Sequence, residues 1–253
     1  MRPTLSLALA LLAPLSAFAE ETWREPLTGI EFVRMPAGCY VMGDTFGKGE
    51  ANEQPPHEVC LKSFWIGRHE VTQGEWQKAV SHNPSVYLGD ERLPVDSVNQ
   101  MDIAAFIFRL GEANPGRRFR LPTEAEWEYA CRAAGQQEMF GGQAPPGGAN
   151  TAEYADRHGE GTLPVGSFPP NKLGLHDMSG NLWEWVSDIY SPDAYLHHRR
   201  DNPHHVADGP ARLLRGGGWS HDTGFSRCSK RHMHCRPTAR FDFVGFRLVL
   251  DSE

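Results

Sequence analysis

The sequence predicts a mixed α+β protein, because its two halves carry different signals. The first half contains helix patterns with defined starts, and the clearest is the segment 99–112. Its apolar residues recur at the spacing of one helix face: Ile103, Phe106, Ile107 and Leu110. The second half is rich in glycine turns and short apolar alternations, which are typical of short strands.

Two further helices are predicted from their first turns. The segments 72–80 and 123–135 each open with a threonine that is followed three residues later by a glutamate. In this capping box the threonine accepts a bond from the helix and the glutamate reaches back to the backbone of the threonine. After Gln136 we find no helix signal, while the segments 31–42 and 59–66 are expected to form strands on either side of a polar loop.

Length and charge restrict the class of protein. The chain has 253 residues, 40% of them hydrophobic, which is enough for a sizeable core in one large domain or two small ones. Its net charge is -7, and its isoelectric point is about 5.9. A basic surface for nucleic acid is therefore not expected.

The first 19 residues resemble a secretory signal peptide. Arg2 supplies the positive charge, the following stretch is apolar, and Ala17-Phe18-Ala19 fits an A-x-A cleavage site. The apolar run is short for a membrane span, and no later stretch could cross a bilayer. We expect export to the periplasm or the medium, with one domain at 20–253, since no internal repeat is visible.

Several blocks of the chain resemble one family. The segment 165–188, VGSFPPNKLGLHDMSGNLWEWVSD, is similar to the signature of the formylglycine-generating-enzyme family, also called sulfatase-modifying factors. Five more blocks follow the family's order: FVRMPAGCYVMG (32–43), FWIGRHEVTQGEW (64–76), FRLPTEAEWEYACRAAG (119–135), RGGGW (215–219) and VGFRLV (244–249). The resemblance implies the family's variant of the C-type-lectin-like α+β fold, with short strands, few helices and much irregular backbone. We expect a monomer.

The resemblance also implies a chemistry, and this chain departs from it. Active members oxidise a peptide cysteine to formylglycine with oxygen and with copper held by two cysteines, which follow a G-G-S-aromatic block. Soft thiolates select Cu(I). Here Gly218 replaces the serine, and His221 and Ser226 stand where the two cysteines are expected. The standard copper site is therefore expected to be missing.

Three interpretations of the tail remain. The candidate catalytic residues are His221, Ser226, Cys228 and Cys235. One interpretation is a different metal centre built from His221, Cys228, His232, His234 and Cys235, although the spacing is not a known zinc pattern. Alternatively, Cys228 and Cys235 form a disulfide, which export favours. An iron site as in the sulfoxide-synthase branch is not expected, because its H-x3-H-x-E motif is absent.

The other cysteines suggest a second disulfide. Cys39 and Cys60 lie in two strand-like segments that flank a polar loop, and we expect them to pair. Cys131 falls within a predicted helix, where a buried free thiol is usual. Connectivity cannot be proved from sequence.

The resemblance implies a calcium site in the GNLWEW block, whereas spacing alone favours a core strand. The side chains of Asn181 and Glu184 and the main chain at Leu182 offer the oxygen ligands that calcium accepts. The resemblance adds Asn150 and Asp156 from a loop that binds calcium in the family. The alternatives are a core strand with a solvated Glu184, and an Asx turn without metal.

The resemblance implies a substrate groove, which we expect near Trp219. Arg227 and Arg231 could recognise a carboxylate there, or could be surface charges that balance nearby acids.

The sequence therefore leaves two hypotheses for the function of this chain. The first is oxidative modification or maturation of a peptide or a small peptide-like substrate by an exported family member without the dithiolate copper. The second is a non-catalytic, calcium-stabilised module that binds peptides or glycans.

Overall fold

The computed structural model describes residues 21–142, 145, 147–206, 209 and 211–252, and for residues 233–235 the backbone. The expected signal peptide, Met1–Ala19, lies outside the described residues. Within them, no helix combines the length and the apolar composition that a membrane crossing needs.

Short strands and a few helices alternate along the chain, so the α+β prediction is confirmed. The helices are α1 (Gln73–Ala79), α2 (Gln100–Ala113), α3 (Glu124–Cys131), α4 (Ala152–His158) and α5 (Ala194–His197). The strands are β1 (Thr22–Arg24), β2 (Glu31–Met35), β3 (Gly38–Met42), β4 (His57–Leu61), β5 (Phe64–Gly67), β6 (Phe119–Arg120), β7 (Trp183–Ile189), β8 (Arg212–Arg215), β9 (His232–Cys235), β10 (Val244–Gly245) and β11 (Val249–Asp251).

The three predicted helices are present, and their starts are as expected. Thr72 and Thr123 form the capping boxes of α1 and α3. Helix α3 ends at Cys131, four residues before the predicted end, because Ala133 and Ala134 adopt φ of 49° and 62°. Left-handed backbone of this kind cannot continue a helix.

The expectation of no helix after Gln136 is wrong. Helices α4 and α5 have seven and four residues, too few to show a period in the sequence. Neither receives a side-chain hydrogen bond at its N-cap. Tertiary contacts, and not a local signal, therefore determine these two helices.

The strands form three sheets. One has the order β1-β2-β5-β11-β6, a second the order β10-β7-β8-β9, and β3 pairs with β4 alone. Strand β7 lies inside the second sheet and separates two parts of the core. Trp183 and Trp185 pack with Trp76 and Phe106 in one cluster, while Val186 packs with the cluster that holds Trp127.

Candidate functional site

The glycine-rich block after β8 shapes the candidate site. Gly216 and Gly217 have φ of 104° and 77°, and a Cβ on Gly217 would lie 2.6 Å from Ser226 Oγ. Glycine is therefore required for the close approach of the chain to the 3-10 turn Thr223–Ser226. The same loop carries His221 and Ser226, the two residues where the resemblance predicts the copper cysteines.

His221 lies among aromatic rings. Its ring centroid is 5.1 Å from that of Phe243, 5.6 Å from Trp183 and 5.7 Å from Phe225. Burial lowers the pKa of His221, against a smaller opposing effect of the Asp222 charge. The imidazole is therefore neutral at pH 7, so one ring nitrogen can accept a proton while the other carries the N–H.

Ser226 is fully buried beside this ring cluster. Its hydroxyl has no hydrogen-bond partner among the described residues, while its carbonyl accepts a 2.7 Å bond from the Ser179 hydroxyl. One imidazole and one hydroxyl do not make a soft dithiolate site. The residues at these positions therefore do not fit the family's Cu(I) centre.

Gly218, which stands where the resemblance expects a serine, lies against Trp183. A Cβ on Gly218 would be 3.1 Å from Trp183 Cδ1, the carbon bonded to the indole nitrogen. That buried indole N–H has no acceptor in the described part of the chain. The imidazole of His232 stacks on the same indole, with centroids 4.6 Å apart.

The cysteines of the tail pair differently from the prediction. Cys228 is bonded to Cys131 with an S–S distance of 2.03 Å, so the expected Cys228–Cys235 pairing and the free Cys131 are wrong. The bond joins Cys228 to the last residue of α3, and the Cys228 amide donates to the Met139 carbonyl. Cys235 lies instead opposite Arg212 in the β8–β9 pairing. Cys228 therefore cannot offer a thiolate to a metal.

The first disulfide is as expected. Cys39 and Cys60 face each other in the register of β3 and β4, and their sulfurs are 1.97 Å apart.

The two arginines predicted for a substrate groove are buried. Arg227 binds both carboxylate oxygens of Glu53 at 2.6 and 2.8 Å, and Arg231 donates to Glu124 at 2.7 Å. Burial opposes ionisation of Glu53, but the bonds and charge of Arg227 outweigh it and lower the pKa of that carboxyl. Both guanidinium groups thus hold the scaffold together and do not face a groove.

Trp219 is nearly buried and forms one wall of a small cluster. Its ring meets Tyr87 edge to face at 5.5 Å, and its indole donates to the Asp242 carbonyl at 3.3 Å. Trp219 reaches the candidate site through Phe243, which packs against its cluster and against His221.

Of the residues predicted to bind calcium, Asn150, Asn181 and Leu182 lie close together, and Asp156 does not join them. Asn181 Oδ1 accepts bonds from Asn150 Nδ2 at 3.1 Å and from the Leu163 amide at 3.0 Å. The Asn181 amide group donates to Glu70 at 2.6 Å, and the Leu182 amide donates to the same carboxylate at 2.9 Å. Asp156, in contrast, is an exposed residue of α4.

Glu184 has protein partners on both oxygens. It is fully buried, pairs with Arg247 at 2.7 Å and accepts a 2.8 Å bond from the Trp127 indole. The interpretation of Glu184 as a solvated side chain is therefore wrong. Arg247 lies 63 residues further along the chain, which is why sequence neighbours gave no hint of this cation.

Sequence reasoning missed two carboxylates beside Glu184. Burial raises the pKa of Glu70 well above its usual value, and the charges of Asp177 and Glu184 add to this effect. Burial, with a contribution from Glu184, also raises the pKa of Asp177. The sequence around Glu70 and around Asp177 contains no local pattern that predicts burial of either side chain.

The cluster of Glu70, Asp177, Glu184 and Arg247 holds three acids and one cation. An excess of carboxylates of this kind is what a divalent ion needs for its ligands. However, the described side chains contain no group of three or more His, Cys, Asp or Glu that is arranged to hold a metal. The carboxylate chemistry fits calcium and the present geometry of Glu184 does not, so calcium stays a prediction.

Comparisons with known proteins agree on one family. The family model "Sulfatase-modifying factor enzyme 1-like domain" matches residues 18–252. The formylglycine-generating enzyme of Streptomyces coelicolor is 31% identical over 319 residues, which span 97% of this chain and 98% of that enzyme. The hercynine oxygenase of Mycolicibacterium smegmatis is 30% identical over 274 residues, or 87% of this chain and 61% of that enzyme.

A solved structure gives the same result. PvdO from Pseudomonas aeruginosa is similar with a TM-score of 0.81 at 30% identity, and the match covers 92% of this chain and 98% of that one. Sequence and fold therefore agree over nearly the whole described chain. This chain belongs to the sulfatase-modifying-factor family, also called the formylglycine-generating-enzyme family.

Proposed function

We propose that this chain is an exported family member that takes part in oxidative modification or maturation of a peptide-like substrate, without a dithiolate copper site. The observation that carries the proposal is the set of residues found in the segment 221–228. The resemblance expects the two copper cysteines at His221 and Ser226, and Cys228, the next cysteine along the chain, is bonded to Cys131. The relatives named above include a formylglycine-generating enzyme and an oxygenase, which supports oxidative chemistry as the class.

The groups around His221 suit the handling of protons at an organic substrate. A neutral imidazole can act as a general base that takes up a proton, and the imidazolium formed in this way can return it. The indole of Trp183, whose ring contacts His221, and the hydroxyl of Ser226 on the same loop as His221 are buried donors without partners in the described structure. Such donors stabilise an oxygen atom that gains negative charge.

The proposal is tested in the organism. We expect that deletion of the gene makes an exported peptide accumulate in a reduced form, with more hydrogen or less oxygen than the normal product. Mass spectrometry of the exported fraction measures this. His221→Ala should reproduce the deletion, while His197→Ala, which alters a histidine with 67% of its side chain exposed on α5, should not.

The dithiolate mechanism gives a second test. Purified protein with copper and oxygen should leave the cysteine of a C-x-P-x-R peptide unchanged, because no thiolate pair can capture the metal. Formylglycine in that peptide would contradict the proposal. No change in any exported peptide after deletion would instead favour the non-catalytic binding module.

A further inference from the structure

A second concave site lies away from His221. It is a cleft of about 620 Å³ between the end of β4, the edge strand β6 and the end of β11. Ser187 of β7 lines it, four residues beyond Trp183, which places it about 13 Å along the strand from the aromatic rings around His221. The volume is within the range of small-molecule sites.

Among the described residues that line this cleft, cations outnumber carboxylates. Arg120 binds both oxygens of Glu126 at 2.6 and 2.7 Å and also Asp251 at 2.7 Å. The carboxylates of Glu126 and Asp251 both bind the guanidinium of Arg120. Lys62 and Arg118 line the same cleft in addition, so its described lining residues carry a net positive charge in a chain of net charge -7.

These two additional cations are available to a ligand. Lys62 has no acidic partner within the described ranges. Arg118 has 79% of its side chain exposed, and its nearest carboxylate oxygen, on Asp251, is 3.6 Å away, beyond hydrogen-bond distance. An exposed, loosely held guanidinium can turn to a carboxylate or a phosphate and bind it with two hydrogen bonds.

The wall of the cleft also offers a neutral donor. The Ser252 hydroxyl lines it, is shielded from solvent and has no hydrogen-bond partner in the described part of the chain. A buried polar group of this kind normally has a partner, and a ligand oxygen would supply one. A positive cleft with a free hydroxyl therefore favours ligands that carry oxyanions.

We propose that this cleft binds a small oxyanion-bearing ligand, whose carboxylate or phosphate oxygens contact Lys62 and Arg118 and accept a hydrogen bond from Ser252. This inference does not depend on the proposed oxidative function. It assigns a second ligand site to the opposite end of β7.

Titration with inorganic phosphate and with citrate at low ionic strength tests the site. Calorimetry should show saturable binding of at least one probe, which weakens as salt is added. Lys62→Ala/Arg118→Ala should weaken that binding at least tenfold. Ser252→Ala should weaken it by about fivefold, the effect of one neutral hydrogen bond.

A matched control separates the site from the general charge of the protein. Arg109→Ala/Lys172→Ala removes the same charge at exposed residues that already pair with Glu112 and Glu138. It should leave the affinity within about twofold of the parent protein. Binding of phosphate alone would identify a phosphate site, and binding of citrate alone a carboxylate site.

Two results would overturn the proposal. One is the absence of saturable binding for both probes in the parent protein. The other is an equal loss of affinity in the control and in the Lys62→Ala/Arg118→Ala variant. Melting temperatures of all variants show whether each is folded. If the double variant is not folded, the affinity of the single variant Arg118→Ala, at a largely exposed position, is measured in its place.

Discussion

Arg227 and Glu53 lie 174 residues apart in the sequence and form a buried ion pair. With Arg231–Glu124 and Arg247–Glu184, it belongs to a set of buried charges that tie distant segments together. Taking a charge out of water is costly, so each of these groups is stable only while its partner is present. The buried arginines of this chain are therefore best understood as cross-links of the scaffold.

Removal of one partner of such a pair should be strongly destabilising. Glu53→Ala leaves the Arg227 guanidinium buried without its carboxylate, and we expect the free energy of unfolding to fall by about 3–5 kcal/mol. Glu112→Ala is the control, because its pair with Arg109 is 52% and 61% exposed and should contribute less than about 1 kcal/mol. Urea unfolding measures both, and equal losses would show that Arg227 is not held as described.

At the scale of elements, the Cys131–Cys228 disulfide joins α3 to the segment that follows the candidate site. The two cysteines are separated by 97 residues, so the bond closes a long loop. Arg215 strengthens the same junction, since it donates to the carbonyls of Cys228, Ser229 and Lys230. The position of His221 and Ser226 thus depends on a covalent link to a helix far away in sequence.

The pairing can be checked by counting thiols. Alkylation of the denatured, unreduced protein should label one cysteine, Cys235, because the other four are bonded. Cys131→Ser/Cys228→Ser should lower the free energy of unfolding by about 2–5 kcal/mol, as the loss of a native disulfide usually does. Label on Cys131 in the parent protein would contradict the pairing and restore the Cys228–Cys235 alternative.

At the scale of the whole molecule, the buried acids around Arg247 connect several blocks of the chain. Glu70 follows β5, Asp177 precedes β7, Glu184 lies within β7, and Arg247 precedes β11. If calcium binds here, it stabilises the native state by mass action. The whole domain should then respond to a chelator, because these blocks meet in its core.

We predict that a calcium chelator lowers the melting temperature of the purified protein and that added calcium restores it. Asp177→Asn and Glu184→Gln should each abolish that response, since each removes one carboxylate from the cluster. Asp102→Asn, a change at an acid of α2 that pairs with Arg240, should keep it. An unchanged melting curve with chelator, in protein that also contains no calcium by elemental analysis, would refute this prediction.

The sequence by itself determined the elements that have local signals. The capping boxes of α1 and α3 and the apolar period of α2 predict these helices, because neighbours within one or two turns decide a helix start and a buried face. The resemblance of the blocks predicts the family, and Cys39–Cys60 follows from two strands that flank one loop.

The tertiary structure alone decided which distant groups meet. The bond between Cys131 and Cys228, the burial of Arg227 and Arg231, and the partner of Glu184 all join residues tens of positions apart. Local spacing carries no information about such pairs. Burial makes an unpartnered charge or polar group costly, so each buried group requires a partner, and the fold of the whole chain determines which one it finds.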